Sequence, residues 1–415
     1  VASLFTQDYY QSAKKRLNED GLFVQWVQAY EVDTQTIETI YATIGSVFPY
    51  IETWQARESD LLLVCTDKQP KHDPIAIRAR IAQEPYKSAL GLAWRVTSIE
   101  GVFGHFIGRP SMAHAIISQH VGGLNTDDLS PVEFGFARSV GTEHGFEVWS
   151  LLDAARSRKE EYPELSRGDV NLKLLEDHRA QLSVVEMEAP HTLSNQDSDQ
   201  RSRNQALALY VEGKYRPALK AWKAQPREPV NPLEYAVLGD LLAEAGEETA
   251  ARYAEMLRDF QPAESDFIMA RLELRKGNNK EATALIERAF EAARKDAWPS
   301  TLLFYRSMSL AEELAGTDQE IARRLFDALA RPFSIMALNE ERIAGRMSLV
   351  AHLDMKTYCE QALREFEPHV PWTKEHLTYR KACYQEIGHG LAAKAAADLQ
   401  EYMAHEPVPF ELPAD

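Results

Sequence analysis

Residues 4–66 read LFTQDYYQSAKKRLNEDGLFVQWVQAYEVDTQTIETIYATIGSVFPYIETWQARESDLLLVCT, and the period of their apolar residues decides the fold. Leu4, Phe5, Tyr9, Ala13 and Leu17 recur at helical spacing. Lys14, Lys15 and Arg16 crowd the last turn, where cations suit the helix dipole. The turn NEDG at 18–21 stops this helix. Residues 22–27 are a short apolar run interrupted by Gln25, which predicts a strand. A second amphipathic helix comes next, capped by Asp33 or Thr34 and buried through Ile37, Ile40, Ile44, Val47 and Phe48, and Pro49 ends it. Residues 50–54 and 61–64 predict two more strands joined by the polar turn 55–60.

Helix, strand, helix, strand, strand is the order of the closing half of a doubly wound α/β domain. The stretch resembles the spermidine synthase (polyamine aminopropyltransferase) family, in its long bacterial form. The matching features are the aromatic-bearing helix LFTQDYYQSAKKRL, the turn NEDG, the strand LFVQWV with its glutamine, and the run SVFPYIETW…DLLLVC. Phe48, Pro49, Tyr50 and Trp54 are the most specific points of that run. A second match is the block Leu124-Asn125-Thr126-Asp127-Asp128 with Pro131, Glu133 and Phe134. Together the two span about the first 140 residues.

The resemblance implies a Rossmann-like sheet of the class I methyltransferase type, of which this chain carries the C-terminal half. It also implies decarboxylated S-adenosylmethionine as cofactor for the complete domain, held by a Gly-rich turn and an acidic residue, with a catalytic aspartate. All of these precede the first helix in the family pattern. No substitute occurs here: Gly101-Val102-Phe103-Gly104 and Gly388-His389-Gly390 lack the preceding strand and the spacing that present backbone N–H groups to an anion. The expectation is that Val1 falls inside a domain, that catalytic residues lie upstream, and that this chain alone binds no cofactor and is inactive. An upstream half of the same domain, or another polypeptide, is then expected to complete the sheet.

With 415 residues, two or three domains are expected. The 45% hydrophobic and 26% charged shares are those of a soluble globular protein. A net charge of −17 argues against a nucleic-acid or anionic-membrane partner, since phosphate binding needs cationic surface. No apolar run reaches the roughly 20 residues of a membrane span. Cys65, Cys359 and Cys383 make no CxxC pair and no framework, which points to a reducing compartment and a cytoplasmic location.

Residues 67–74 are a polar, proline-bounded linker, closing a first region at 1–74. Residues 75–160 read as a helical extension carrying the NTDD block, with helical patterns at 75–95, 98–106, 111–118 and 143–158. Residues 121–128 are turn-rich, and VEFGFA at 132–137 alternates like an edge strand. His105, His114 and His120 lack the tight spacing of a metal set, so no metal site is expected. Residues 161–202 are charged and end in low complexity, which reads as a linker or the N-cap region of the helical segment beyond it.

From 203 to 415 the pattern is helical and repeats. Gly213, Gly246 and Gly277 are 33 and 31 residues apart. Each is followed by a small residue (Ala218, Ala250, Ala282) and preceded by another (Ala206, Gly239, Ala270), and Pro226, Pro262 and Pro299 close the units. Tyr215, Trp222, Tyr253 and Phe290 would fill the cores. The recurrence resembles the tetratricopeptide repeat, with a period of about 34, and implies an all-α superhelix offering a concave face to a protein partner. Tyr235, Arg271 and Tyr305 are candidates to line it, or simply to pack.

Candidate substrate-binding residues are Gln25, Tyr30, Asp127 and Asp128, with Glu133 as a weaker fifth. Gln25 ends a central strand, where open α/β sheets bind ligands, and aminopropyl transfer needs groups that orient an amine nucleophile. Gln25 could instead bond a neighbouring loop, Tyr30 could be a packed aromatic, and the aspartates could form a turn. Two functions are open: the C-terminal portion of a spermidine synthase-like enzyme of polyamine biosynthesis, or a non-catalytic scaffold acting through its repeats.

Overall fold

The computed structural model describes residues 2–57, 59–139, 146–185 and 197–406. It is mostly helical with one small antiparallel sheet, and it divides into two compact units, Val1–Val237 and Leu238–Asp415.

The first unit is built on four strands: β1 (Phe23–Gln28), β2 (Tyr50–Arg57), β3 (Asp60–Thr66) and β4 (Phe106–Gly108). Their order is β1-β3-β2-β4. β3 is antiparallel to both β1 and β2, so those two run parallel to each other with β3 between them. The register places Trp26 beside Leu62 and Leu62 beside Trp54, with Phe106 beyond. β4 was not expected: at three residues it is too short to show a period.

Helix α1 (Gln7–Lys14) is capped by Thr6, whose hydroxyl accepts from Tyr9 N at 3.2 Å. Helix α2 (Thr34–Gly45) starts where Asp33 accepts from Thr36 N at 2.7 Å, so aspartate and not threonine is the cap. Ile37, Ile40, Tyr41 and Ile44 of α2 bury against Ile51, Leu61, Leu63 and Cys65 on one face of the sheet. The Tyr41 hydroxyl meets Thr53 Oγ1 at 2.7 Å, which satisfies both groups inside this core. On the other face Trp54, Ile99, Phe103, Phe106 and Leu175 form a second cluster.

Three expectations are corrected. Residues 132–137 are not a strand but part of a helix, Pro131–Ser139. Val132 is buried and Phe134 exposed, and Gly135, three residues after Val132, lies so close to α2 that a Cβ would overlap Thr36. Burial there follows i, i+3, and the alternation of letters was coincidence. Second, the stretch read as linker holds the helices Leu172–Ala180 and Leu182–Val185, and Ser198–Val211 begins inside it, capped by Asp197. Third, the pattern at 75–95 is two helices, Pro74–Ile81 and Tyr86–Ala93. Of 143–158, the helix is Val148–Ser157, and residues 143–145 lie outside the described residues.

The repeat signal corresponds to helical hairpins. Ser198–Val211 with Tyr215–Lys223 turns at Gly213, Pro232–Glu244 with Ala250–Arg258 at Gly246, and Pro262–Arg275 with Asn279–Ala293 at Gly277. These glycines have φ of 75°, 73° and 82°, the left-handed ending that a side chain disfavours. Ala206, Ala218, Ala250, Ala270 and Ala282 are fully buried, as close crossings require. Pro262 opens the following helix and does not close its unit, a position where the missing N–H costs nothing.

In the second unit, Cys359 and Cys383 form a disulfide between the helices Met355–Leu363 and Lys374–Glu386, with Cα atoms 5.9 Å apart. This corrects the reading of the cysteines as unpaired. Cys65 is buried and free, and burial pushes its thiol well above the ordinary range. Closing a 24-residue loop is expected to stabilise the second unit by about 3 kcal/mol. Cys383→Ser should lower its denaturation midpoint accordingly, and reductant should do the same to the parent. Coincident curves with and without reductant would refute this.

Candidate functional site

The sheet face opposite α2 is covered unevenly. Beneath β2 and β4 it packs on the helices Pro74–Ile81, Ile99–Gly104 and Leu172–Ala180 through Ile77, Phe103 and Leu175. Toward β1 the cover ends. Val24 and Trp26 on that face are 49% and 47% exposed, Leu22 just before them is 61% exposed, and Leu62 and Val64 are half-buried. Among the described residues β1 pairs only with β3, so its outer backbone edge is open as well. An open edge beside exposed aromatic surface is a place where a further element adds.

Gln25 and Tyr30 sit along this edge. Gln25 is half-buried and its Nε2 donates to the Trp26 carbonyl at 2.7 Å, a local bond that occupies part of its capacity. Tyr30 is 47% exposed, just after the strand, so it is not a packed core aromatic. Two strands in from Val24 on the same face, a distance of roughly 10 Å, lies a polar pair that sequence reasoning missed. The Glu52 carboxylate is buried, accepts from Trp54 Nε1 at 3.2 Å, and meets His72 Nε2 at 3.0 Å. The pattern gave no hint, because Glu52 occupies an ordinary strand position and His72 lay in the segment read as linker.

Asp127 and Asp128 are elsewhere. Their loop is held by Asn125, which is fully buried and is the functional letter of the block in a structural sense. Asn125 N donates to Thr43 Oγ1 at 3.0 Å, its carbonyl accepts from Gln7 N at 2.8 Å, and its Oδ1 accepts from Val132 N at 3.2 Å. It thereby ties α1, α2 and Pro131–Ser139 together. Thr43 is roughly 13 Å along α2 from Thr34, whereas Tyr30 leads directly into the first turn of α2. Tyr30 and the Asp127-Asp128 turn therefore lie toward opposite ends of one helix, whereas Gln25 is mid-strand, two residues from Phe23, which stacks on Phe48 past the end of α2. Asp127 N donates to Asp8 Oδ2 at 3.1 Å, and both aspartates are exposed in a turn closed by Thr126 and Leu129. Glu133 is exposed on the helix Pro131–Ser139.

A buried polar cluster in the first unit offers the other arrangement of catalytic residue types. His178 Nε2 lies 3.4 Å from Ser98 Oγ, and Asn231 Nδ2 donates to His178 Nδ1 at 3.1 Å. The amide donating to Nδ1 places the imidazole proton on Nε2, facing the serine, so this histidine cannot accept the serine proton. Ser98 instead caps Ile99–Gly104 by accepting from Gly101 N at 3.1 Å. Around it Glu234 receives Val230 N at 2.8 Å, Gln181 and Arg203, and burial pushes its carboxyl up despite that arginine. Burial pushes His178 down to about 4, so it is neutral. The cluster holds helices together. Among the described residues no group of three or more His, Cys, Asp or Glu could hold a metal ion, and no helix is long and apolar enough to cross a membrane.

Compared with protein-family models, curated proteins and solved structures, the chain matches none.

Proposed function

We propose that the strands β1 to β3 with α1 and α2 are the closing half of a spermidine synthase-like, class I methyltransferase-type sheet, and that a further polypeptide segment completes it along β1. The observation that carries this reading is the strand order: β1 and β2 parallel, with the hairpin return β3 inserted antiparallel between them. The exposed Val24 and Trp26 and the unpaired edge support it, because completion would cover both. In this reading the chain contributes Gln25 and Tyr30 to the substrate side of an aminopropyltransferase, and the added segment holds the decarboxylated S-adenosylmethionine. The Asp127-Asp128 turn lies at the far end of α2 and serves the fold.

Two measurements test it. The chain alone is expected to show no micromolar binding of S-adenosylmethionine or its decarboxylated form by calorimetry, and such binding would overturn the division of labour. Trp26→Glu should leave the unit folded, since the side chain is half in solvent, yet lower aminopropyl transfer by the completed enzyme at least about tenfold by burying an unpaired charge. Unchanged transfer would remove Trp26 from the junction.

The second reading, a scaffold acting through tetratricopeptide-like repeats, is favoured by the glycine-turned hairpins. Arg271, one of the residues proposed for the concave face, is instead buried in an ion-pair network, and Tyr305 donates to Glu341. Arg271 is thus committed to the fold, while Tyr305 is half-buried.

A further inference from the structure

The helix Tyr215–Lys223 in the first unit turns a row of cations to solvent. Arg216, Lys220 and Lys223 are exposed at i, i+4 and i+7, on one face, and the helix holds no acidic residue. Over residues 201–227 seven arginines and lysines stand against the single carboxylate of Glu212, in a chain of net charge −17. Glu212 is taken by Lys214 at 2.7 Å. Among the described residues Arg216 and Lys220 are in no ion pair. Arg216 also sits in the first turn, where the helix dipole disfavours a cation. By contrast Arg271, Arg306, Arg342 and Arg380 on helices of the second unit are each held by a carboxylate. Exposed cations of one row, left without a carboxylate, suit an acidic counter-surface.

The second unit carries one. A groove of about 850 Å³ is walled by Met347, Met355 and Phe366, each half-buried. Glu340 and Glu375 line it too, both exposed and, among the described residues, in no ion pair. None of its described lining residues is lysine or arginine. Apolar walls beside open carboxylates suit one kind of side chain, a cation on a methylene stem, with the stem on the wall and the head on the carboxylate. Arginine and lysine are those side chains. Residues 216–223 span about 10 Å of helix, short enough to lie in a groove of this volume.

We infer that copies of this chain associate with one another, the row Arg216, Lys220 and Lys223 of one copy lying in the groove of Glu340 and Glu375 on the next. The two surfaces differ, so the contact is heterologous, and a pair of copies still offers one row and one groove. It is small and charged, hence a weak, concentration-dependent contact and not an obligate one. It rests on neither reading of function above.

The test is sedimentation velocity of the full chain over about a hundredfold range of concentration. Salt is held at about 0.15 M, where a Debye length of about 8 Å screens the net charge and leaves close pairs in place. The mean sedimentation coefficient is expected to rise with concentration. Arg216→Glu with Lys220→Glu should weaken the association at least about tenfold, and so should Glu340→Arg with Glu375→Arg. Mixing these two double variants should restore it, because each then carries the charge that the other needs. Lys15→Glu with Arg16→Glu, an equal change of net charge at exposed residues elsewhere, should leave it unchanged. Circular dichroism checks that each variant is folded. Arg216→Ala with Lys220→Ala, or Glu340→Gln with Glu375→Gln, takes the place of a charge reversal that is not, with a severalfold loss expected. A parent that stays monomeric throughout, or association that the row and groove variants leave intact, would overturn the inference. So would a mixture no more associated than its parts, or equal weakening by Lys15→Glu with Arg16→Glu.

Discussion

Asp240→Ala is expected to destabilise the second unit by about 3–5 kcal/mol. Asp240 is 2% exposed, and its two carboxylate oxygens serve two arginines, one from the helix Pro262–Arg275 and one from Thr301–Ala315. Arg271 Nε donates to Oδ1 at 2.7 Å, and Arg306 Nε donates to Oδ2. Both guanidinium groups are themselves buried. Alanine would take the shared carboxylate from two desolvated cations, a larger loss than the pairs are worth, because the desolvation is already incurred. Glu244 limits the damage, since it receives Arg271 at 2.8 Å and Arg306 at 3.3 Å, but one carboxylate cannot serve both fully and also hold Arg275 at 2.8 Å. Arg275 also reaches Glu313, whose side chain is 47% exposed. Glu313→Ala on the same ladder should cost no more than about 1 kcal/mol, as solvent replaces the partner. Denaturant unfolding of the two variants separates these outcomes. An Asp240→Ala midpoint as close to the parent as that of Glu313→Ala would refute the burial argument.

That ladder also shows where the sequence could and could not be read. The hairpin turns were legible because Gly213, Gly246 and Gly277 take left-handed backbone and recur at nearly the same interval. The arginine network was not, because an arginine on a helix reads as solvated until the neighbouring helices are in place. Polar letters misled in the same way at 172–185, where Asp177, His178, Arg179 and Gln181 are all buried yet compose like a linker. Strands β1 to β3 were legible as alternating or apolar runs bounded by turns, whereas VEFGFA showed that six letters of alternation fit a helix equally well. Of the candidate residues, Tyr30 does lie just past a strand, whereas Gln25, expected to end a central strand, is the third residue of the edge strand β1. The Cys359–Cys383 bridge arises from packing between separate helices, which no spacing within one helix reveals.

Acid should unfold the first unit well above the carboxylate range, and two buried histidines are the reason. His105 donates Nδ1–H to the Gln55 carbonyl at 2.8 Å, stacks on Trp94 at 3.9 Å, and leaves Nε2 buried without a partner. His178 is fixed by Asn231 and Ser98. Burial, the largest cause in each case, pushes both down to about 4, from an ordinary value near 6.5. The folded state therefore binds fewer protons than the unfolded state between those limits, so stability is full above about pH 6.5 and falls as pH drops toward 4. Each histidine contributes up to about 1.4 kcal/mol per pH unit in that window, about 3 kcal/mol in all. Glu234 and Asp177, both pushed up chiefly by burial, act with the opposite sign, since a raised carboxyl gains stability on protonation. The informative quantity is therefore the slope of stability against pH in the parent and in His178→Gln. The variant, which carries no titrating ring there, should lose stability less steeply below pH 6.5, by about 1.4 kcal/mol per pH unit. Parallel slopes would mean that His178 is as readily protonated in the fold as out of it, and that the buried cluster around Glu234 is open to water.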